Sequence, residues 1–208
     1  EMAALSTAQI ASLTSGQVAA LTTAQLGALS ANQVGALTTS AEAGLTTADI
    51  VALTSTQISG LTGAQVGALS SSQFGALSPA QISALTSAGI GGLTTAEVSS
   101  MSTAQIGGLT SAQVGALTLT QLGALSPTQI GAVKTSALAG LTTAEVAALS
   151  TLQLGGLSSM QVGALTLPQV GALSSGQIGS LTSAAVVGFT TAEIAALTTV
   201  QISGLTSG

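Results

Sequence analysis

One eight-residue unit recurs almost without interruption along the 208 residues of the chain. An apolar residue returns at every eighth position, as at Leu5, Leu13 and Leu21, and the unit reads Leu-[Ser/Thr]-x-x-Gln-[Ile/Val/Leu]-small-small. A unit this short cannot bury its apolar side chains alone, so neighbouring copies must stack around a continuous core. We therefore predict a single continuous tandem-repeat array over residues 1–208, and we expect it to be a segment of a longer chain.

The exceptions to the octad are themselves periodic. The fifth position is a small residue in four units spaced 48 residues apart, at Ala41, Gly89, Ala137 and Ala185. The next unit carries an acid at the same position, at Asp49, Glu97, Glu145 and Glu193. The unit after that ends in glycine, at Gly60, Gly108, Gly156 and Gly204. Six octads therefore form a 48-residue super-repeat.

This super-repeat constrains how the octads wind. If units are added at a constant angle, a feature that recurs every sixth unit returns to one face only when six units complete a whole number of turns. One turn of six is the most economical choice, while two turns of three or three turns of two also satisfy it. We expect the four acids to form a straight row. The small residues would form a second, flat row beside it, a possible lateral contact made by Ala41, Gly89, Ala137 and Ala185.

The chemistry within the octad favours a helix. If the hydroxyl residue at position two is an N-cap, the glutamine at position five is N3, which makes a capping box. The flanking apolar residues then form a hydrophobic staple. Pro79 and Pro127 follow Ser78 and Ser126, and so occupy the first helical position, where proline is tolerated. The first three predicted pairs of structural caps are Ser6 with Gln9, Thr14 with Gln17 and Thr22 with Gln25.

The predicted fold class is therefore all-α, a solenoid (superhelix) of very short capped helices, one per eight residues. Each helix would be roughly 9 Å long, which is too short to be stable without its neighbours. A β-solenoid with a corner in every octad is the alternative, since the chain holds 26 glycines and many threonines.

The composition excludes several classes of function. Only 3% of residues are charged, His and Cys are absent, and Lys134 is the one basic residue against six acids. Nucleophilic catalysis needs a base beside the nucleophile, so we expect neither an enzyme nor a cofactor. Nucleic-acid binding needs several basic residues. No run of about 20 apolar residues is present, so we expect no membrane insertion.

The four periodic acids are the one chemically suggestive feature. Asp49, Glu97, Glu145 and Glu193 replace glutamine at N3, where a carboxylate keeps the cap and interacts favourably with the helix N-terminus. The alternative is a weak calcium site, in which aligned carboxylates would supply oxygen ligands. A calcium site requires about six or more clustered oxygen ligands, and no acid-rich loop in the sequence supplies them. Capping is therefore the simpler interpretation.

The run Leu-Thr-Thr-Ala-Gln-[Ile/Val/Leu]-x-Ala-Leu, seen at Leu21 to Leu29, resembles octad arrays of very long bacterial surface or secreted proteins of the adhesin-like or filamentous type. The resemblance implies a structural protein at the cell surface or outside the cell, forming a fibre, tube or adhesin stalk. Because the surface is almost uncharged, we also expect self-association. The alternative is a surface-binding module, in which Thr pairs such as Thr22-Thr23, Thr46-Thr47 and Thr94-Thr95 match ice or a polysaccharide.

Overall fold

The computed structural model describes residues 2–205 and confirms the all-α prediction. Within these residues the chain forms one 3-10 helix and 25 short α-helices, and no strand. The helices belong to two compact units, Glu1–Ser100 and Met101–Gly208. Each unit is a solenoid of stacked octads. That residues 1–208 form a single continuous array stays a prediction.

The helices follow one another at octad spacing in both units. In the first unit, the 3-10 helix Met2–Ala4 precedes α1 (Thr7–Ala11), α2 (Ser15–Ala19), α3 (Thr23–Gly27), α4 (Ala31–Gly35), α5 (Thr39–Glu42), α6 (Thr47–Ala52), α7 (Ser55–Ile58), α8 (Gly63–Val66), α9 (Ser71–Gly75), α10 (Pro79–Ala84), α11 (Ser87–Gly91) and α12 (Thr95–Ser100). The second unit holds α13 (Thr103–Ile106), α14 (Ser111–Val114), α15 (Leu119–Gly123), α16 (Pro127–Ala132), α17 (Thr135–Leu138), α18 (Thr143–Ala148), α19 (Thr151–Leu154), α20 (Ser159–Val162), α21 (Leu167–Gly171), α22 (Ser175–Gly179), α23 (Ser183–Val186), α24 (Thr191–Ala196) and α25 (Thr199–Leu205).

The helices are short because each octad contains its own start signal. The apolar residue and the hydroxyl residue that follows it are both extended; Leu53 has φ −62° and ψ 132°, and Thr54 has φ −70° and ψ 158°. These two extended residues end one helix and redirect the chain into the next. No described residue, glycine included, has a positive φ, so left-handed glycine plays no part in these turns.

Three octads complete one turn of the solenoid in each unit. Each helix packs against the helix three places later in the chain, as in the series α1, α4, α7, α10 and the series α13, α16, α19, α22, α25. We call each such series a file. A 48-residue super-repeat therefore spans two turns of three octads, and the more economical expectation of one turn of six is wrong. Each octad supplies two core side chains, and six octads per turn would enclose more interior than these could fill at protein packing density.

The core of each turn consists of the residues at positions one and six. Ile58 and Leu61 in the first unit, and Leu154 and Leu157 in the second, are all buried. Burying a side chain of this kind stabilises the fold by roughly 1.5–3 kcal/mol. The core of the second unit holds a cavity of only about 10 Å³, lined by leucine, valine and isoleucine side chains. This cavity is at the lower limit for one water molecule, so it leaves no room for a ligand.

Candidate functional site: the glutamine ladder between turns

The capping residues begin each helix with reciprocal hydrogen bonds. Ser6 Oγ accepts from the backbone N–H of Gln9 (3.3 Å), and Gln9 Oε1 accepts from the backbone N–H of Ser6 (2.8 Å). The structure places the same arrangement at Thr14 with Gln17 and at Thr22 with Gln25. These three pairs lie in the first turn, where their side chains are exposed. Each box satisfies backbone N–H groups that a helix start leaves unpaired.

In later turns the glutamine makes a second set of bonds. Gln57 Nε2 donates to the carbonyl oxygens of Leu26 (2.8 Å) and Leu29 (2.9 Å), which lie one turn earlier. Equivalent bonds recur in both units and define what we call the glutamine ladder. Its members include Gln33, Gln57, Gln65, Gln73 and Gln81 in the first unit, and Gln129, Gln153, Gln161, Gln169, Gln177 and Gln201 in the second.

The ladder explains why the octad uses glutamine at a position where a capping box accepts glutamate equally well. Leu26 lies near the end of α3, where carbonyl groups lack the usual partner four residues on within the helix; its oxygen also accepts from the N–H of Leu29 (3.1 Å). A glutamine side chain carries an acceptor for its own cap and two donors for the turn before it. Gln57 is buried, and an unpaired polar group there would cost free energy. The preference for Gln over Glu is the signal in the sequence that could have revealed the ladder, since capping alone does not require it.

The periodic acids cap their helices as glutamine does, but they lack the Nε2 group that donates to the preceding turn. Glu97 Oε2 accepts from the backbone N–H and the hydroxyl of Thr94, both at 2.7 Å. Asp49 bonds Thr46 in the same way. Glu97 Oε1 is buried and has no hydrogen-bond partner. The acids therefore mark octads in which the cap survives and the glutamine's bonds to the preceding turn are missing.

The structure separates these acids rather than clustering them. Asp49 and Glu97 lie in one file, on α6 and α12, with α9 between them, and Glu145 and Glu193 lie likewise on α18 and α24, with α21 between them. Packed helices lie about 8–10 Å apart, so carboxylates two turns apart cannot share one calcium ion. Among the described residues no group of three or more potential metal-ligating side chains occurs.

The four small residues of the super-repeat do not form the lateral surface that the sequence predicted. Ala41, Gly89, Ala137 and Ala185 are all buried, because position five faces the preceding turn rather than solvent. The loss of glutamine also leaves part of the cap in place, since Thr38 Oγ1 still accepts from the N–H of Ala41 (3.1 Å). Lys134 is different, because it stands at the N-cap of α17 and makes no side-chain cap bond.

Glycine at position eight allows adjacent turns to approach closely. A Cβ atom added to Gly60 would overlap the carbonyl oxygen of Ala31, and one added to Gly92 would overlap that of Gly63. The super-repeat predicted from the sequence places a terminal glycine in one octad of the six. The octads that lack glutamine end in the same way, at Gly44, Gly92, Gly140 and Gly188. These close approaches occur in alternate turns of a file, which gives the 48-residue period its structural meaning.

The exposed side chains at helix starts give one file of the first unit a distinct surface. Along α3, α6, α9 and α12 the exposed residues at the first helical position are Thr23, Thr47, Ser71 and Thr95. The Thr pairs singled out in the sequence therefore share one face of this unit. In the second unit the corresponding file of α15, α18, α21 and α24 alternates leucine with threonine, at Leu119, Thr143, Leu167 and Thr191.

No helix within residues 2–205 has the length and apolar character needed to cross a membrane.

Comparison with known proteins identifies the repeat. No curated protein matches the chain. A model of the ALTTAQ repeat matches residues 1–23, 43–79, 71–103, 82–119, 95–127, 139–175 and 170–207. These segments cover most of the sequence and both structural units. The chain therefore belongs to the ALTTAQ repeat family.

Proposed function

We propose that this repeat protein is structural, and that its array serves as an extracellular or cell-surface shaft, such as a fibre, tube or adhesin stalk. The observation that carries the proposal is the glutamine ladder. In each unit buried side chains bond one turn to the next, so the octads act as repeated mechanical elements. Length and stiffness then scale with the number of octads, since solenoid stability is a sum of unit and nearest-neighbour terms.

The composition supports a role without catalysis. With no His or Cys and a single Lys, the chain lacks the groups that activate a nucleophile. We propose that it is not an enzyme and needs no cofactor. Its low charge leaves little electrostatic repulsion between copies, which supports self-association into filaments or bundles. The same scarcity of basic residues argues against a nucleic-acid partner.

Single-molecule stretching of the full chain between two folded handle domains tests the mechanical role. We expect the array to resist extension and to yield in steps of one turn, each releasing about 80 Å of chain at the extended length per residue. Extension at the force of an unfolded polymer would contradict the proposal. Antibody labelling of intact and permeabilised producing cells tests the location, and labelling only after permeabilisation would refute a surface role.

A second function is favoured by the threonine-bearing file of the first unit. Thr23, Thr47 and Thr95, with Ser71 between the last two, present hydroxyl and methyl groups on one face, a surface suited to ice or a polysaccharide. Thermal hysteresis and polysaccharide pull-down assays test this. Thr47→Lys should abolish binding, while Ser55→Lys, exposed on a different file, should not. Equal effects of the two variants, or no binding by the unmodified chain, would exclude this function.

A further inference from the structure

Glu42 breaks the octad pattern at the position that builds the core. It occupies position six of its octad, where every other octad has isoleucine, valine, leucine or phenylalanine. The side chain is 1% exposed. Neither carboxylate oxygen has a hydrogen-bond partner. Glu42 is thus an ionisable group in an apolar core position, and neither capping nor the glutamine ladder uses its side chain.

The surroundings of Glu42 offer no compensating charge. Helix α5 packs between α2 and α8, whose residues at position six are Val18 and Val66, both fully buried. Neither of these helices, nor α4 before α5 in the chain, carries a titratable side chain. The acid of the following helix, Asp49, has its Oδ2 engaged by Thr46. Burying an unpaired carboxylate in such a place is costly, and this desolvation raises the pKa of Glu42 to about 8.

We propose that Glu42 is a proton-controlled opening point of the first unit, which holds α5 in the stack when protonated and releases it when ionised. The neutral carboxyl fills the slot that an aliphatic side chain fills elsewhere. The carboxylate reaches water only if α5 separates from α2 and α8. That separation breaks the ladder bonds made to the start and to the end of this octad. Gln65 loses its bond to the carbonyl oxygen of Leu37, and Gln73 loses its bonds to those of Glu42 and Leu45.

The direction of the pH dependence follows from the raised pKa. The folded state binds the proton more tightly than an unfolded segment, in which the carboxyl has its ordinary value of 4.5. The stabilisation by the neutral carboxyl is therefore complete below pH 4.5 and is lost as the pH rises through 8. Across this range the equilibrium constant for opening of α5 should increase by up to about a thousandfold.

Hydrogen exchange of the full chain, measured by mass spectrometry from pH 5 to 9 and corrected for the intrinsic rate, tests the proposal. We expect protection of residues 38–45 to fall steeply with pH, while the corresponding residues 86–93 around Ile90 change little. A ¹³C NMR titration of the Glu42 carboxyl should show a transition near pH 8. A carboxyl transition near pH 4.5, or equal pH dependence in the two segments, would overturn the proposal.

Two variants distinguish the effect of ionising Glu42 from the effect of having a polar side chain at this core position. Glu42→Gln cannot ionise and should remove the pH dependence of residues 38–45 while leaving them weakly protected at all pH values. Glu42→Val restores the octad pattern and should remove the pH dependence while raising protection throughout. Both variants retain every other ionisable group of the chain. If either folded variant keeps the pH dependence of the unmodified chain, Glu42 is not its cause.

Discussion

At position five of the octad, glutamine and glutamate cap the helix equally well, but only glutamine can also bond the preceding turn. Both offer an oxygen to the N-cap N–H, as Gln57 does to Thr54 (2.9 Å) and Glu97 does to Thr94 (2.7 Å). Only glutamine also presents an N–H group to the carbonyl oxygens of the preceding turn. One atom of the side chain thus decides whether a helix is bonded to the turn before it or merely packed on it.

Replacing Gln57 by Glu isolates that atom. We expect the variant to lose about 1–3 kcal/mol of unfolding free energy at pH 7, because the carbonyl oxygens of Leu26 and Leu29 lose the bond from Nε2 and face a carboxylate. Gln17→Glu makes the same change in the exposed first turn and should cost less than about 0.5 kcal/mol, as is usual for a surface substitution. Urea unfolding of both variants measures the difference. Similar losses would mean that the cap, and not the ladder, accounts for the role of glutamine.

Glycine substitutions test the close approach of turns at the same scale. Gly60→Ala places a methyl group against the carbonyl oxygen of Ala31 and should destabilise the array by about 1–3 kcal/mol through overpacking. Gly75, at the end of α9, has no atom within 4 Å of an added Cβ. Gly75→Ala should therefore stabilise by about 0.5–1 kcal/mol, because alanine is the better helix former. Thermal unfolding distinguishes the two, and a stable Gly60→Ala variant would argue against the close contact.

At the scale of the element, each helix depends on its cap and its neighbours rather than on its own length. The helices have four to seven residues, well below the length at which an isolated helix forms. The hydroxyl cap, the apolar residue before it and the apolar residue at position six together set where each helix starts. Helix α17 lacks one of these, because Lys134 stands at its N-cap without a side-chain bond.

Restoring that cap should stabilise the second unit. Lys134→Thr supplies a hydroxyl to accept from the N–H of Ala137, as Thr38 does for Ala41, and it removes a positive charge from the positive end of a helix. We expect a gain of about 1 kcal/mol in unfolding free energy. Lys134→Ala removes the charge alone and serves as the control. If the two variants gain equally in a urea titration, the missing hydroxyl is not what weakens α17.

At the scale of the whole molecule, the 48-residue super-repeat corresponds to two turns within each unit. Three octads close a turn, and glycine at position eight recurs in alternate turns of two of the three files. A solenoid of identical octads would tolerate removal of any whole turn. In this array, deletion of one turn should be more destabilising than deletion of two turns, because glycines at position eight pack against particular residues of the preceding turn.

Two internal deletions test this pairing in the first unit. Removing residues 29–76, two turns, places Gly92 where Gly44 meets the carbonyl oxygen of Ser15. Removing residues 29–52, one turn, places Ala68 there, and its Cβ would overlap that oxygen. We expect the two-turn deletion to melt at the higher temperature, although a longer solenoid is normally the more stable. If the one-turn deletion melts higher, the super-repeat has no structural role in packing.

The helices, their starts and their core positions can be read from the amino-acid sequence, because they depend on residues no more than five apart. Ser6 with Gln9 predicts a helix start, Pro79 agrees with it, and Leu at position one with Ile or Val at position six predicts the buried face. Packing between distant parts of the chain sets three octads to a turn, brings Gln57 to residues 28 and 31 positions earlier, and buries Ala41. Local hydrogen bonds are the same whether three or six octads close a turn. That choice is made by how much core the octads enclose together, and it alone sets which distant residues meet.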